Sequence, residues 1–191
     1  FSEIFYTYTG VNASNDISEK DILENQHLMH GSGVTLVYVN GDELIDIYIP
    51  RIKEDNVLYI NKGEWQFEDF TLAAGVAAPN RYSNGSVFAD VDGDRDLDLI
   101  VTSLGGPNSV FINDGNGIFV EKKLESKLNN PGSTSSALAD VDNDGDLDLY
   151  ITNYKRKAMR DSLPPPAISF NNTLYESPDG KWEVVPPFNR E

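Results

Sequence analysis

The strongest constraint on this chain is a phrase that it uses twice. GSVFADVDGDRDLDLIVT (residues 85–102) returns as SSALADVDNDGDLDLYIT (residues 135–152), an offset of 50. A weaker copy, GVTLVYVNGDELIDIYIP (residues 33–50), lies 52 residues upstream of the first. The likeness runs on downstream: residues 56–70 match 108–122, and 172–185 form a looser third version. Charged, apolar and turn positions repeat together, so the chain holds three units of about 50 residues, the period of stacked supersecondary units.

Each unit reads as β. A short apolar run (34–37, 87–89, 137–139) leads into an acidic loop. Strict alternation follows, Ile45/Ile47/Ile49, Leu97/Leu99/Val101 and Leu147/Leu149/Ile151, which predicts a strand with one buried face. A third run (57–60, 110–112, 174–175) ends in turn chemistry such as Asn61-Lys62-Gly63, and an aromatic-bearing run closes the unit. Four short strands per unit is the sheet size of a propeller blade. The predicted fold class is therefore all-β, an incomplete β-propeller of about three four-stranded blades. Trp65, Phe67 and Trp182 are expected in blade cores. One short helix is expected over 17–29, with Ser18 as its N-cap.

The expected organisation is an N-terminal extension (1–30) followed by the propeller segment (31–191), with repeats at about 31–84, 85–132 and 133–191. An insertion at 155–170 carries Lys155, Arg156, Lys157 and Arg160, then Pro164-Pro165-Pro166. It reads as a solvated extended loop. The sharper alternative is a docking loop for an acidic partner.

The acidic loops pose the central problem. Asp90, Asp92, Asp94, Asp96 and Asp98 alternate through nine residues, and Asp140, Asp142, Asp144, Asp146 and Asp148 repeat the pattern. Four carboxylates within about 5 Å make six pairs at roughly 0.8 kcal/mol each even in water. Some 5 kcal/mol of repulsion rivals the net stability of a small domain. A divalent cation removes that cost. Ca²⁺ takes six to eight hard oxygen ligands in a flexible shell, whereas Mg²⁺ prefers a water-rich octahedron. Two Ca²⁺ sites are expected: Asp90, Asp92, Asp94 and Asp98 with the backbone of Asp96, and Asp140, Asp142, Asp144 and Asp148 with the backbone of Asp146. Gly145 stands at position six, where a sharp turn favours positive φ; Arg95 stands there in the first loop. The pattern is not an EF-hand, because Val101 and Ile151 occupy the twelfth positions. In the first unit the equivalents are Tyr38, Asn40, Asp42, Leu44 and Asp46, a loop expected to be metal-free.

Charge and composition narrow the function classes. The net charge is -16, and the two loops concentrate it, with ten Asp and one Arg in 18 residues. Binding to nucleic acid or anionic membrane through a basic face is disfavoured. The longest apolar run, 34–39, is far too short to span a bilayer. The chain starts at Phe1 rather than Met and is expected to be a mature or excised segment. Zero Cys excludes disulfides, thiolate zinc sites and cysteine nucleophiles. His27 and His30 alone do not make a zinc site. No nucleophile elbow, phosphate loop or dinucleotide fingerprint occurs. Sequons at Asn12, Asn84 and Asn171 matter only in a glycosylating host.

The D-x-D-x-D-G-x-x-D loop inside a β unit of about 50 residues resembles the FG-GAP/VCBS repeats of integrin α-type β-propellers, most clearly at 140–148. The phrases FADVDGDRDLDLIVT, FEDFTLAAGV and LADVDNDGDLDLYITNY are similar to bacterial FG-GAP proteins of the UnbV/ASPIC and cartilage acidic protein-like kind. Leu104-Gly105-Gly106-Pro107 stands in for the degraded FG-GAP signature itself. The resemblance implies loops that bind Ca²⁺ and a bacterial, secreted or cell-surface (extracellular or periplasmic) propeller. Such a module serves adhesion, recognition or assembly without enzymatic activity, through a protein or glycan partner. Two other functions stay open: a structural subunit of an extracellular filament or complex, self-assembling through open blade edges, and a propeller scaffold attached to an enzyme domain outside this chain.

Overall fold

The computed structural model describes residues 3–122, 124, 132–154 and three short strands at 168–170, 173–176 and 183–185. The chain divides into two compact units, Phe1–Asp16 with Gly31–Arg156, and Ile17–His30 with Lys157–Glu191.

In the first unit the repeat becomes a pair of matching sheets. Blade 1 is an antiparallel meander of β1 (Thr35–Val37), β2 (Asp46–Ile49), β3 (Val57–Asn61) and β4 (Phe67–Asp69). Blade 2 repeats it with β5 (Ser83–Ala89), β6 (Asp98–Ser103), β7 (Ser109–Asn113) and β8 (Phe119–Lys122). A third pair, β9 (Ser133–Ala139) and β10 (Asp148–Asn153), repeats the first two strands of a blade. The registers coincide: Leu36, Ile47 and Tyr59 align across blade 1 as Phe88, Leu99 and Phe111 do across blade 2. The chain is an all-β array of propeller blades.

The core lies between blades rather than within one. Val37, Tyr48, Leu58 and Ile60 of blade 1 pack against Leu99, Val101, Phe111 and Phe119 of blade 2, with Phe88 beside them. The Phe88 ring stands edge-on to Tyr48 at 5.9 Å and to Phe119 at 6.3 Å. Burying a side chain of this size contributes about 1.5–3 kcal/mol. This packing revises two expectations. The alternation at Ile45/Ile47/Ile49 marks the less buried face of blade 1, since the intervening Asp46 and Tyr48 are the fully buried ones. Strand β6 is buried on both faces, because a neighbour lies on each side of it. Trp65 is the other correction: expected in a core, it is 65% exposed. Phe67 is half-buried, and Trp182 lies outside the described residues.

The N-terminal segment is stitched along blade 1. A single turn, α1 (Tyr6–Thr9), ends at Gly10. The Asn12 N–H then donates to the Tyr59 hydroxyl (3.1 Å), Arg51 Nε to the Ser14 carbonyl (2.7 Å), and the Ile52 N–H to Asn15 Oδ1 (2.8 Å).

The second unit holds the predicted helix in shorter form. Helix α2 (Glu19–Glu24) is closed by a capping box between Ser18 and Asp21, and extended Asn25 ends it before a 3₁₀ turn at Gln26–His30. A second single turn, α3 (Thr71–Ala74), belongs to the first unit and was not signalled by any helical periodicity. The second unit also contains an antiparallel sheet of β11 (Ile168–Phe170), β12 (Thr173–Glu176) and β13 (Glu183–Val185). Most of the 155–170 segment lies outside the described residues.

Candidate metal centre

The three acidic loops join the first two strands of successive blades: residues 38–46 before β2, 90–98 before β6, and 140–148 before β10. All three turn twice through left-handed backbone. Position four is Gly41 (φ 72), Gly93 (φ 86) and Asn143 (φ 60); position six is Glu43 (φ 63), Arg95 (φ 80) and Gly145 (φ 96). Arg95 thus takes the conformation for which Gly145 is suited, and the two Asp-rich loops share one backbone shape. The position-four requirement was readable in the sequence as Gly, Gly, Asn.

The first Asp of each rich loop gathers the loop's own amides. Asp90 accepts from the Gly93 N–H (2.7 Å) and the Arg95 N–H (3.0 Å). Asp140 accepts from the Asp144 (3.2 Å) and Gly145 (3.1 Å) amides. The fifth residue caps the seventh, with Asp96 N–H donating to Asp94 (2.9 Å) and Asp146 N–H to Asp144 (3.0 Å).

The ninth Asp does something that metal-ligand reasoning did not anticipate. Asp98 Oδ2 accepts from the Val91 N–H at 3.0 Å, and Oδ1 from the Asn113 N–H at the end of β7 at 2.9 Å. Asp46 makes the same pair with Val39 (3.1 Å) and Asn61 (2.9 Å), in the loop that lacks the other carboxylates. Asp148 repeats the first contact with Val141 at 3.1 Å. This carboxylate clamps the loop to the strands whether or not its neighbours are acidic. The sequence did carry a signal for it: Asp46 persists where the ligand pattern has gone.

Of the ten predicted site residues, the fold brings two triplets together. Carboxylate oxygens of Asp90, Asp92 and Asp98 lie within 4.8 Å of one another, and so do those of Asp140, Asp142 and Asp148. Asp94, Asp96, Asp144 and Asp146 are not in these triplets. Two oxygens on one Ca²⁺ at 2.3–2.6 Å can be no farther apart than about 4.6–5.2 Å, so the spacing fits the ion. Each clamped oxygen accepts one N–H and keeps a second lone pair for a cation. The first triplet is graded, with Asp98 fully buried, Asp90 half-buried and Asp92 exposed; the second is exposed throughout. Partial desolvation, followed by repulsion from Asp94 and Asp98, holds the Asp92 carboxyl above its ordinary range. Burial raises Asp46 likewise, against the lowering effect of its two amide donors. In blade 1 Tyr38 replaces the first Asp, and the Asn40 amide ties down Asp42 at 2.9 Å instead. His27 and His30 stand edge to face at 5.8 Å and join neither triplet.

A family model for FG-GAP-like repeats matches residues 38–101 and 90–151, together more than half of the chain. The chain belongs to the FG-GAP-like repeat family. Each match runs from the acidic loop of one blade through that of the next. None of the curated proteins compared with the chain matches it. Among the described residues no helix is long and apolar enough to cross a membrane.

Proposed function

We propose that this FG-GAP repeat chain is a calcium-stabilised propeller module, secreted or displayed at a cell surface, that works in recognition, adhesion or assembly and not as an enzyme. The observation that carries the reading is the convergence of Asp90/Asp92/Asp98 and Asp140/Asp142/Asp148 at equivalent places in successive blades. These residues would hold one Ca²⁺ each, the ion cancelling the repulsion that the triplets create. The role is structural: the loops it stiffens set the turn into the second strand of a blade. Modules of this kind bind at about 0.1–1 mM, concentrations of Ca²⁺ found outside cells.

Calorimetric titration with Ca²⁺ and thermal melting test this together. Two ions should bind, each adding about 1.4–2.7 kcal/mol at 10 mM Ca²⁺ for dissociation constants of 0.1–1 mM. That corresponds to a rise in melting temperature of about 3–10 °C per site. No bound ion and no shift would sink the proposal.

An assembly role has one observation of its own in its favour. Tyr150 occupies in β10 the position that Tyr48 occupies in β2, yet Tyr48 is fully buried against blade 2 and Tyr150 is 72% exposed. The side chain that plugs one blade into the next is thus offered again. A stable monomer of 21.2 kDa at high dilution would count against this second reading.

A further inference from the structure

The loop of blade 1 departs from the two Asp-rich loops at its first and third positions, and the two departures meet at one peptide bond. In blade 2 the first Asp, Asp90, holds the Gly93 N–H at 2.7 Å. Tyr38 stands at that position in blade 1, so the equivalent Gly41 N–H has lost its acceptor and donates to nothing among the described residues. The residue before it is Asn40, where blade 2 has Asp92. A free main-chain N–H therefore follows directly on a side-chain carboxamide.

That pairing is reactive, because the Gly41 nitrogen can attack Cγ of Asn40 and close a succinimide ring. Asp42 favours the attack from both sides of the carboxamide. Its N–H donates to Asn40 Oδ1 at 3.2 Å, where negative charge develops as the nitrogen adds. Its carboxylate accepts from Asn40 Nδ2 at 2.9 Å, so a group able to relay a proton stands beside the leaving nitrogen. Gly41 is exposed, and a Cβ built on it would meet nothing within 4 Å, so its peptide has room to turn toward the side chain.

Asn-Gly occurs at two more places, 84–85 and 116–117, and neither is arranged in this way. Gly85 lies within β5, paired with Thr102, and a Cβ built on it would lie 2.6 Å from the Thr102 hydroxyl and 3.1 Å from the Thr134 carbonyl. Gly117 is buried, and its N–H donates to Asn113 Oδ1 at 3.1 Å. Each of these pairs must open locally before its nitrogen can reach the side chain, whereas the pair in blade 1 need not.

We propose that Asn40 is a self-modification site, at which the folded chain converts a carboxamide into a carboxylate. The Gly41 nitrogen gives up its proton as its bond to Asn40 Cγ forms. The Cγ–Nδ2 bond then breaks and the nitrogen leaves as ammonia. Water opens either carbonyl of the succinimide, giving an aspartate or an isoaspartate at position 40. One water is consumed, one ammonia is released, and no other reactant is needed. Either product adds a negative charge at position three, where Asp92 and Asp142 already carry one. The isoaspartate also lengthens the main chain directly after Val39, whose N–H is clamped by Asp46 and whose carbonyl is held by Asn113 of blade 2 at 3.0 Å. The mark therefore falls at the joint between blades 1 and 2. It goes beyond the calcium reading and does not depend on it, since blade 1 has no metal-competent triplet.

The test is incubation of the full chain in chelator under mildly alkaline conditions, followed over days by peptide mapping with mass spectrometry. In the native protein Asn40 should convert about tenfold faster than Asn84 or Asn116, the factor set by a main-chain amide that must first be freed. In urea, where no fold selects among them, the three pairs should convert at similar rates. Y38D returns an acceptor to the Gly41 N–H and should slow Asn40 about tenfold, whereas Y38F should leave its rate unchanged. D92N places an Asn-Gly pair at the equivalent point of blade 2, where Asp90 still holds the Gly93 N–H, and that pair should lag Asn40 about tenfold. Position three accepts Asn in blade 1 already, so this variant keeps the loop. The proposal falls if Asn40 stays intact in the native protein, or if Asn84 or Asn116 converts as fast. It falls equally if Y38D reacts at the unmodified rate, or if the new pair in D92N keeps pace with Asn40.

Discussion

Replacing Asp46 by Ala isolates the ninth-position clamp from any metal, because its loop has no metal-competent triplet. Asp46 is fully buried and accepts the Val39 and Asn61 amides. Ala leaves both donors without partners. Val39 is itself only 2% exposed, so its N–H is lost to water as well, at about 1–3 kcal/mol. The half-buried Asn61 N–H can be reached by water and adds about 1 kcal/mol. Against this, the variant no longer buries a charge, which the raised pKa of Asp46 shows to be unfavourable. The net expectation is a destabilisation of about 2–3 kcal/mol, the same with Ca²⁺ or chelator. With a urea m-value of about 2 kcal/mol/M, the unfolding midpoint falls by about 1–1.5 M. Asp42→Ala, which loses two exposed bonds, from the Leu44 N–H and the Asn40 side-chain amide, should move it by less than about 0.3 M. A shift at Asp46 below about 0.3 M, or one seen only with Ca²⁺ present, would refute the reasoning, because the clamp would then depend on a cation.

Further outcomes follow from the same geometry. Asp98→Ala should lose the same 2–3 kcal/mol in chelator and, in addition, the calcium increment of its site, seen as two separable midpoint shifts in urea. Asp90→Ala or Asp140→Ala should drop the bound-ion count from two to one by elemental analysis, with less than about 1 kcal/mol lost in chelator, because the amides that they release are solvent-accessible. Arg95→Gly should raise stability by about 0.5–1 kcal/mol, since relief of left-handed strain at φ 80 outweighs the entropy of glycine; a lower midpoint would show that the turn is unstrained. The pH response should change sign with calcium. Asp46 and Asp92 have folded pKa values above the ordinary 3.8, so the native state binds their protons more tightly than the unfolded chain. In chelator their contribution is fully present below 3.8 and lost as pH rises through the raised values; Asp114, whose pKa is lowered, acts in the opposite direction below 3.8. With Ca²⁺ bound at the two triplets, protons compete for the oxygens of Asp92 and its triplet partners, and melting over the same range should instead show stability lost on acidification, Asp46 keeping its chelator behaviour.

The blades were legible because their signal is repetition, and a repeat of 50 residues averages over local ambiguities. The faces were less legible. Both faces of β2 carry apolar residues, so the alternation at Ile45/Ile47/Ile49 could not say which side is better buried, and Tyr48 turned out to be the plug. Trp65 defeated a compositional expectation for a similar reason: an aromatic residue belongs in a core only if something covers it, and that depends on a neighbour that its own repeat does not encode. The site divides in the same way. Regular spacing marked all ten Asp residues, but spacing along a chain does not distinguish a carboxylate that turns inward from one that caps an amide two residues on. Asp94 and Asp144 do the latter.

This division of labour explains how one chain can carry loops with and without a cation triplet on the same sheet. If the ninth Asp served only an ion, a loop that lost the first Asp would have no reason to keep it, and a buried carboxylate left alone would be costly. Asp46 is kept because two backbone amides depend on it, and its burial is tolerated because those amides satisfy it. The carboxylates at positions one and three are different: they face one another, and their repulsion is the part that a cation relieves. Substitution at those two positions therefore breaks the triplet and leaves the strand turn intact. That is the state of blade 1, where Tyr38 and Asn40 occupy the two positions and Asp46 still closes the loop.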